Sequence, residues 1–165
     1  HCIPLDPYYL SWKASEYGFH TSMIESSMMV NDRMPEYCVD RAARMLNGNG
    51  KALNGSKVLV LGVAYKQDID DCRESPALRV IDILVSRGAD VSYYEPWVSE
   101  YRNGADTHRS IPELTVDVLS DADLVMVTCA HTNVDYDFVQ AHAKAIFDTK
   151  NALKDYSKRS NVEVL

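Results

Sequence analysis

The first segment of the chain carries a thiol and a carboxylate four positions apart. Cys2 and Asp6 lie in the run His1-Cys-Ile-Pro-Leu-Asp-Pro-Tyr-Tyr-Leu-Ser-Trp-Lys-Ala14. A cysteine thiolate can add to an aldehyde to give a thiohemiacetal, and loss of hydride then leaves a thioester that water cleaves. In an arbitrary sequence a cysteine near a chain terminus is more often inert. Asp6 by itself predicts an N-cap for a helix that begins at Pro7.

The remaining thiols and imidazoles show no metal-binding pattern. Cys38, Cys72 and Cys129 have no CxxC spacing, which argues against a structural zinc site or a disulfide framework. The histidines form no ligand-spaced cluster, so we expect no metal. We interpret the three cysteines as small packing residues.

A second chemically distinctive segment runs from Gly62 to Ser75. It contains Lys66, Arg73 and several acidic residues, and it is far longer than the usual connection between a strand and a helix. The GxGxxG fingerprint that brings backbone close to a pyrophosphate is reduced here to Gly62 alone. We expect the two cations to face one cavity with the following helix N-terminus, an arrangement that suits a diphosphate. A solvated loop with internal ion pairs is the alternative.

The elements around this segment predict an α/β fold, with a doubly wound, mostly parallel Rossmann-like sheet. In such a sheet, ligands bind beyond the carboxyl ends of the strands. Glu95 follows the second strand, and we interpret it as a turn residue before Pro96. The expected strands cover 57–62, 90–94, 124–128 and 145–148, with an edge strand at 161–165, and the expected helices cover 76–87 and 135–144.

The region before the sheet predicts helices. One should run from Pro7 to about Gly18, and a longer one from about Thr21 to Leu46 with a kink at Pro35. The long helix is rich in methionine and aliphatic residues, which favours a homodimer interface over packing against its own domain. A turn-rich linker at 47–56 separates two expected regions, residues 1–48 and 55–165.

Composition excludes several classes of protein. The chain has 24 acidic and 17 basic residues and a net charge of −7, so we expect no nucleic-acid partner. No apolar stretch is long enough to span a bilayer, and we expect a cytoplasmic protein without a membrane partner. Since the first residue is His1, we expect the chain to open inside something longer.

Two long motifs resemble the UDP-glucose/GDP-mannose dehydrogenase family. They are the run from His1 to Ala14 and the run Leu61-Gly-Val-Ala-Tyr-Lys-Gln-Asp-Ile-Asp-Asp-Cys-Arg-Glu-Ser-Pro-Ala-Leu78. The resemblance extends to Asp32 through Tyr37 and to Phe147-Asp-Thr-Lys-Asn151. Cys-Ile-Pro-Leu-Asp at the cysteine is closer to members that act on UDP-N-acetylglucosamine than to the UDP-glucose enzymes, which usually have Cys-Phe-Pro-Lys-Asp.

The resemblance implies an enzyme that binds NAD and a UDP-sugar and oxidises the sugar C6 alcohol twice, through a thioester, to a carboxylate. It implies three parts: an amino-terminal NAD-binding domain, a central dimerisation helix and a carboxy-terminal UDP-binding domain. The present chain matches the last two parts, so we expect the NAD-binding domain to be absent and these 165 residues alone not to reduce NAD.

The resemblance also implies roles for individual residues. Cys2 is the expected nucleophile and Asp6 the aspartate beside it that activates water or balances charge. Arg73 is expected to reach the NAD phosphates. The expected substrate-binding residues are Tyr65, Lys66 and Lys150, the last where relatives carry an arginine.

Two alternatives remain open. One is a UDP-glucose 6-dehydrogenase. The other is a free-standing nucleotide-binding or dimerisation module without catalysis.

Overall fold

A parallel β-sheet forms the centre of the molecule. The computed structural model describes residues 1–104, 106–154 and 160–165. In chain order the strands are β1 (Lys57–Leu61), β2 (Asp90–Tyr94), β3 (Glu100–Asn103), β4 (Asp106–Arg109), β5 (Leu124–Val127), β6 (Ile146–Asp148) and β7 (Val162–Val164). Five of them pair in parallel in the order β2-β1-β5-β6-β7. The parallel α/β sheet is therefore confirmed, including β7 as an edge strand.

Helices cover both faces of this sheet. The helices are α1 (Cys2–Ser15), α2 (Ser22–Asp32), α3 (Met34–Gly48), α4 (Pro76–Ser86), α5 (Val116–Asp121) and α6 (Tyr136–His142), and the cover comes from α3 to α6. Apolar residues of α3 and α4 share one core with one sheet face, and those of α5 and α6 share a second core with the other face. This double cover explains why β1 and β5 are apolar at nearly every position rather than alternating.

Helix α3 belongs to the core of the sheet domain. Val39, Ala42 and Leu46 are completely or almost completely buried against α4 and the sheet. Burial of a side chain of this size contributes about 1.5–3 kcal/mol relative to its exposed state. The apolar residues of α3 therefore pack against its own domain, which is the alternative to a homodimer interface for this part of the predicted long helix.

The predicted long helix is interrupted. It divides into α2 and α3 at Arg33, and Pro35 lies in the first turn of α3, where its missing N–H costs no hydrogen bond. The prediction of one helix kinked at Pro35 was wrong. The helix beginning at Pro7 was also wrong, because α1 begins at Cys2 and Asp6 lies within it rather than at its N-cap.

Two elements were not predicted. Strands β3 and β4 form an antiparallel hairpin in which Tyr101 is the buried apolar residue, and α5 begins after Thr115, whose side chain accepts the Val118 amide. In the ranges that the structure describes, every helix is too short or too polar to cross a membrane.

Candidate functional site

A cleft of about 630 Å³ lies at the carboxyl ends of the central strands. Tyr65 enters it from the connection after β1, Thr128 from the end of β5, and Thr149 and Lys150 from the end of β6. Strand β1 has β2 on one side and β5 on the other, so the chain changes direction across the sheet beside this cleft. This is the position where doubly wound sheets bind ligands.

The N-terminus of α4 forms a second wall. Ser75 caps the helix: its hydroxyl accepts the Ala77 amide at 3.3 Å and also lies 3.3 Å from the Ala64 carbonyl. Pro76 follows as the first helical residue, so the predicted start of this helix at residue 76 is confirmed. The positive end of the helix dipole favours a negatively charged group in the cleft.

The walls carry charges of both signs. Lys150 and Arg79 are exposed cations on the lining, while Asp32 and Glu74 are acidic residues on the same lining. Cys38 faces the same space from α3, where burial raises the pKa of its thiol although nearby Lys150 lowers it. This mixture of cations and carboxylates on the lining suits a ligand that has both an anionic group and hydroxyls.

The segment around Cys2 adjoins the cleft. Ile3 and Pro4, the two residues that follow Cys2 in α1, contribute to the lining. Cys2 and Asp6 themselves are exposed on α1. Cys2 is therefore adjacent in sequence to the lining of the cleft.

The structure brings together only some of the predicted site residues. Tyr65 and Lys150 line the cleft, whereas Lys66 and Arg73 do not. The Lys66 ammonium is exposed, 6.0 Å from the centre of the Tyr65 ring. The Arg73 side chain is 83% exposed, and its guanidinium pairs with Asp71 at 2.7 Å. The expected single cavity for both cations is not seen, because the neighbouring carboxylate already holds Arg73.

His1, to which the sequence assigned no role, contacts this loop. Its ring stacks on Tyr65 with centroids 4.3 Å apart, and its Nε2 lies 3.1 Å from the Asp71 carboxylate. Hydrogen bonds from Arg73 lower the pKa of Asp71 to about 2. His1 thus joins the cysteine segment to the predicted nucleotide loop, a contact between positions too distant in sequence for spacing to reveal.

Glu95 was also misjudged. It is 3% exposed, and its carboxylate accepts the amides of Val63, Ala64 and Trp97 at 2.8–3.0 Å. Burial raises the pKa of Glu95, but hydrogen bonds from His131 and from the Trp97 and Ala64 amides outweigh this, so the pKa lies below its ordinary value. Glu95 is therefore a buried anion and not simply a turn residue.

His131 lies on the other side of that carboxylate. Its Nε2 is 3.0 Å from Glu95, and its Nδ1 accepts the Asp68 amide at 3.0 Å. Burial lowers the pKa of His131, while hydrogen bonds to Cys129 and Glu95 raise it. The hydrogen bond from the Asp68 amide favours the neutral ring, since Nδ1 can accept this hydrogen bond only while it carries no proton. In this geometry the ring proton therefore sits on Nε2, toward Glu95.

Gly62 marks the end of β1, where its backbone has φ +89°. A Cβ at this position would lie 2.5 Å from both the Cβ and the carbonyl oxygen of Cys129. The glycine is therefore required by its positive φ and by the close approach of Cys129, in the segment after β5. Across the described ranges, no group of three or more His, Cys, Asp or Glu side chains is arranged to hold a metal ion.

The parallel strand order, the helices on both faces and the cleft at the strand ends define a doubly wound α/β ligand-binding domain. The chain belongs to the UDP-glucose/GDP-mannose dehydrogenase family, because residues 59–155 match the family model for its UDP binding domain. This confirms the family resemblance, and the second motif, Leu61 to Leu78, lies within the matched range.

Named relatives agree with this assignment. The chain is 32% identical over 93% of its length to a UDP-N-acetyl-D-mannosamine dehydrogenase of Methanococcus maripaludis, of which it covers 35%. It is 31% identical over 60% of its length to a UDP-N-acetyl-D-glucosamine 6-dehydrogenase of Pseudomonas aeruginosa, of which it covers 24%. The structure of an NDP-N-acetyl-D-galactosaminuronic acid dehydrogenase from Methanosarcina mazei superposes with a TM-score of 0.81 and 25% identity over all of this chain and 37% of the other. The chain thus spans about a third or less of these relatives.

Proposed function

We propose that the cleft binds the UDP group of a nucleotide sugar, and that the chain is the UDP-binding portion of an NAD-dependent nucleotide-sugar 6-dehydrogenase. One observation carries the proposal. Ile3 and Pro4, which follow Cys2, line the same cleft as Tyr65 and Lys150. A sugar nucleotide anchored at the strand ends would therefore have its sugar directed toward the thiol.

The diphosphate has two attractive partners in this cleft. The Lys150 ammonium and the N-terminus of α4 both favour a doubly charged group. Tyr65 offers a ring and a hydroxyl for the nucleoside or the sugar. Lys66 follows it on an exposed stretch of loop and would contact the ligand from the rim. Glu74 and Asp32 would suit ribose or sugar hydroxyls as hydrogen-bond acceptors.

The proposed oxidation uses Cys2 as the nucleophile. Its thiolate adds to the C6 aldehyde to give a thiohemiacetal, departure of the C6 hydrogen as hydride leaves a thioester, and water cleaves the thioester to a carboxylate and free thiol. NAD, when bound, supplies the hydride acceptor, once for the alcohol and once for the thiohemiacetal. Asp6, one helical turn beyond Cys2, could accept a proton from the attacking water.

The residues described here fit NAD at one point only. Arg73 is exposed at the rim and its guanidinium could pair with a phosphate if Asp71 released it. The amides of Val63 and Ala64 at the end of β1, where many doubly wound domains hold a pyrophosphate, donate to Glu95 instead. We therefore assign this domain to UDP and not to the dinucleotide.

An N-acetylhexosamine is the proposed sugar, because the relatives described above act on UDP-N-acetylmannosamine and UDP-N-acetylglucosamine by name. We also propose a cytoplasmic enzyme, in keeping with a nucleotide-sugar substrate.

A homodimer through α1 and α2 is proposed as well. These helices and the turn between them expose large apolar side chains that the rest of the described chain leaves uncovered. A second copy of the chain could cover them around a two-fold axis. The residues are Ile3, Tyr9, Leu10, Trp12, Tyr17, Phe19, Met23, Met29 and Val30.

Calorimetric titration tests the UDP site. UDP and UDP-N-acetylglucosamine should bind, UDP-glucose more weakly, and GDP-mannose weakest. Lys150→Ala should reduce UDP affinity about tenfold, the loss of one charge-assisted hydrogen bond. Lys144→Ala is the matched control, since Lys144 precedes β6 and Lys150 follows it. Absence of UDP binding would refute the proposed UDP site, and equal losses from both variants would place the site away from Lys150.

A further inference from the structure

The connection after β1 is held from inside the protein by one carboxylate. Glu95 Oε2 accepts the Val63 amide at 2.8 Å and the Ala64 amide at 2.9 Å, and Oε1 accepts the Trp97 amide at 3.0 Å. Val63 and Ala64 are both buried. Without Glu95 both amides would lose their hydrogen-bond acceptor in a place that water does not reach.

The far end of the same segment is held by His131. This side chain is 1% exposed; its Nε2 faces Glu95 and its Nδ1 accepts the Asp68 amide. The Asp68 carboxylate in turn accepts the amide and the hydroxyl of Thr132, both at 2.9 Å. Both ends of the segment 63–68 are therefore tied to the loops that follow β2 and β5.

Tyr65 and Lys66 lie between these two anchored ends. Tyr65 reaches the cleft from a backbone whose preceding two amides are fixed by Glu95 and whose own amide donates to the Asp71 carbonyl at 2.8 Å. The two hydrogen bonds from Val63 and Ala64 to one buried carboxylate thus set the direction of the backbone that carries Tyr65 into the cleft.

We propose that Glu95 is a built-in anion at the end of β1 and that, together with His131, it positions Tyr65 for the nucleotide. The carboxylate occupies the amides to which a phosphate could otherwise bind, which leaves the cleft beside Lys150 as the phosphate position. The part that concerns the nucleotide rests on the proposed UDP site. Glu95 and His131 act through the loop and contact no ligand themselves.

The geometry specifies a carboxylate at this position. Both oxygens of Glu95 accept hydrogen bonds, so a glutamine side chain in either orientation would point its NH2 group at an N–H donor. Glu95→Gln preserves the size of the side chain and removes only this acceptor capacity and the charge. It is therefore a sharper variant than a truncation.

Hydrogen exchange of the whole chain tests the positioning without any ligand. In the wild type the amides of Val63, Ala64 and Asp68 should exchange more slowly than those of Lys66 and Gln67 within the same loop. Glu95→Gln should accelerate exchange at 63–68 by about tenfold or more, which corresponds to the loss of one buried hydrogen bond. Glu113→Gln, an exposed glutamate, is the matched control and should leave this segment unchanged.

Chemical rescue tests the built-in anion. Glu95→Ala leaves the two amides free, so acetate or inorganic phosphate at millimolar concentration should restore their protection and shift their NMR signals. Failure of both anions to bind there, or uniform exchange along 63–68 in the wild type, overturns the inference. The wild-type comparison decides the matter even if the variants fail to fold.

UDP titration of the same proteins separates this inference from the proposed function. If wild type binds UDP and Glu95→Gln binds it about tenfold more weakly with a faster-exchanging loop, both stand. If wild type does not bind UDP but the loop still loosens in Glu95→Gln, the UDP site fails and the positioning remains. If wild type binds UDP and Glu95→Gln changes neither measurement, the positioning fails.

Discussion

Replacement of Gly62 by alanine should destabilise the domain strongly. The backbone has φ +89° there, a conformation that costs an L-residue about 1–2 kcal/mol. The added Cβ would also lie 2.5 Å from two atoms of Cys129 and 2.8 Å from a third. Two of these three atoms belong to the backbone of the segment after β5, so a rotamer change cannot relieve the overlap. Overpacking of this kind costs about 1–3 kcal/mol.

The two effects together predict a loss of about 2–5 kcal/mol in the free energy of unfolding, against a total of about 5–15 kcal/mol for a typical domain. Urea denaturation followed by circular dichroism measures this loss as a lower midpoint at an unchanged slope. Because Val63 directly follows Gly62, the same variant should also disturb the amides that Glu95 accepts.

Two other glycines separate the contributions. Gly50 has φ +73° and open space around its Cβ position, so Gly50→Ala should show the conformational cost alone. Gly48, at the end of α3, has open space and no positive φ, so Gly48→Ala should be neutral or slightly stabilising. If Gly62→Ala costs no more than Gly50→Ala, the close approach of Cys129 to β1 is refuted.

Three further predictions concern the rest of the site. Glu95→Gln should destabilise the protein near neutral pH, and the difference in unfolding free energy should shrink as the pH falls below 4.5, because folding lowers the pKa of this carboxyl group and its contribution is lost in acid. A constant difference in urea titrations down to about pH 3 would contradict this. His1→Ala should free the Tyr65 ring and speed amide exchange in the loop, but it should change the unfolding free energy by less than about 1 kcal/mol because the contact of His1 with Tyr65 and Asp71 is exposed. Unchanged NMR signals of Tyr65 would show that the stacking is absent in solution. The pair Trp12→Ser and Met23→Asp, at positions 63% and 85% exposed, should shift sedimentation toward monomer with an unchanged circular dichroism spectrum; a wild type that is monomeric at tens of micromolar would remove the basis for the dimer.

Much of the sheet could be predicted because its signals are local. Strand β2 was predicted with its exact bounds, and β1 and β5 to within one residue, since buried parallel strands are short apolar runs bordered by turn residues. Helix α4 begins at residue 76 as predicted, with Ser75 as its N-cap, and α6 begins one residue after the predicted start because Asp135 is its N-cap. The hairpin of β3 and β4 was missed because it is mostly charged and lacks apolar alternation.

The parts of the site that were missed depend on distant contacts. Glu95 and His131 are 36 positions apart, and Asp68 is 63 positions from His131. No periodicity links residues at such separations, and a buried acid has the same appearance in a sequence as an exposed one. His1 and Asp71 are likewise joined only by the fold, across 70 positions. The break at Arg33 was missed because apolar residues continue on both sides of it.

The burial of α3 determines how this chain can be shortened. The match to the family's UDP binding domain begins at residue 59, after α3 has ended. A polypeptide cut there would expose the sheet surface that Val39, Ala42 and Leu46 cover, and we expect it to aggregate. A cut just before Met34 would keep that cover and remove α1 and α2. We therefore expect the smallest unit that folds by itself to be longer than the segment matched by the family model and to begin with α3.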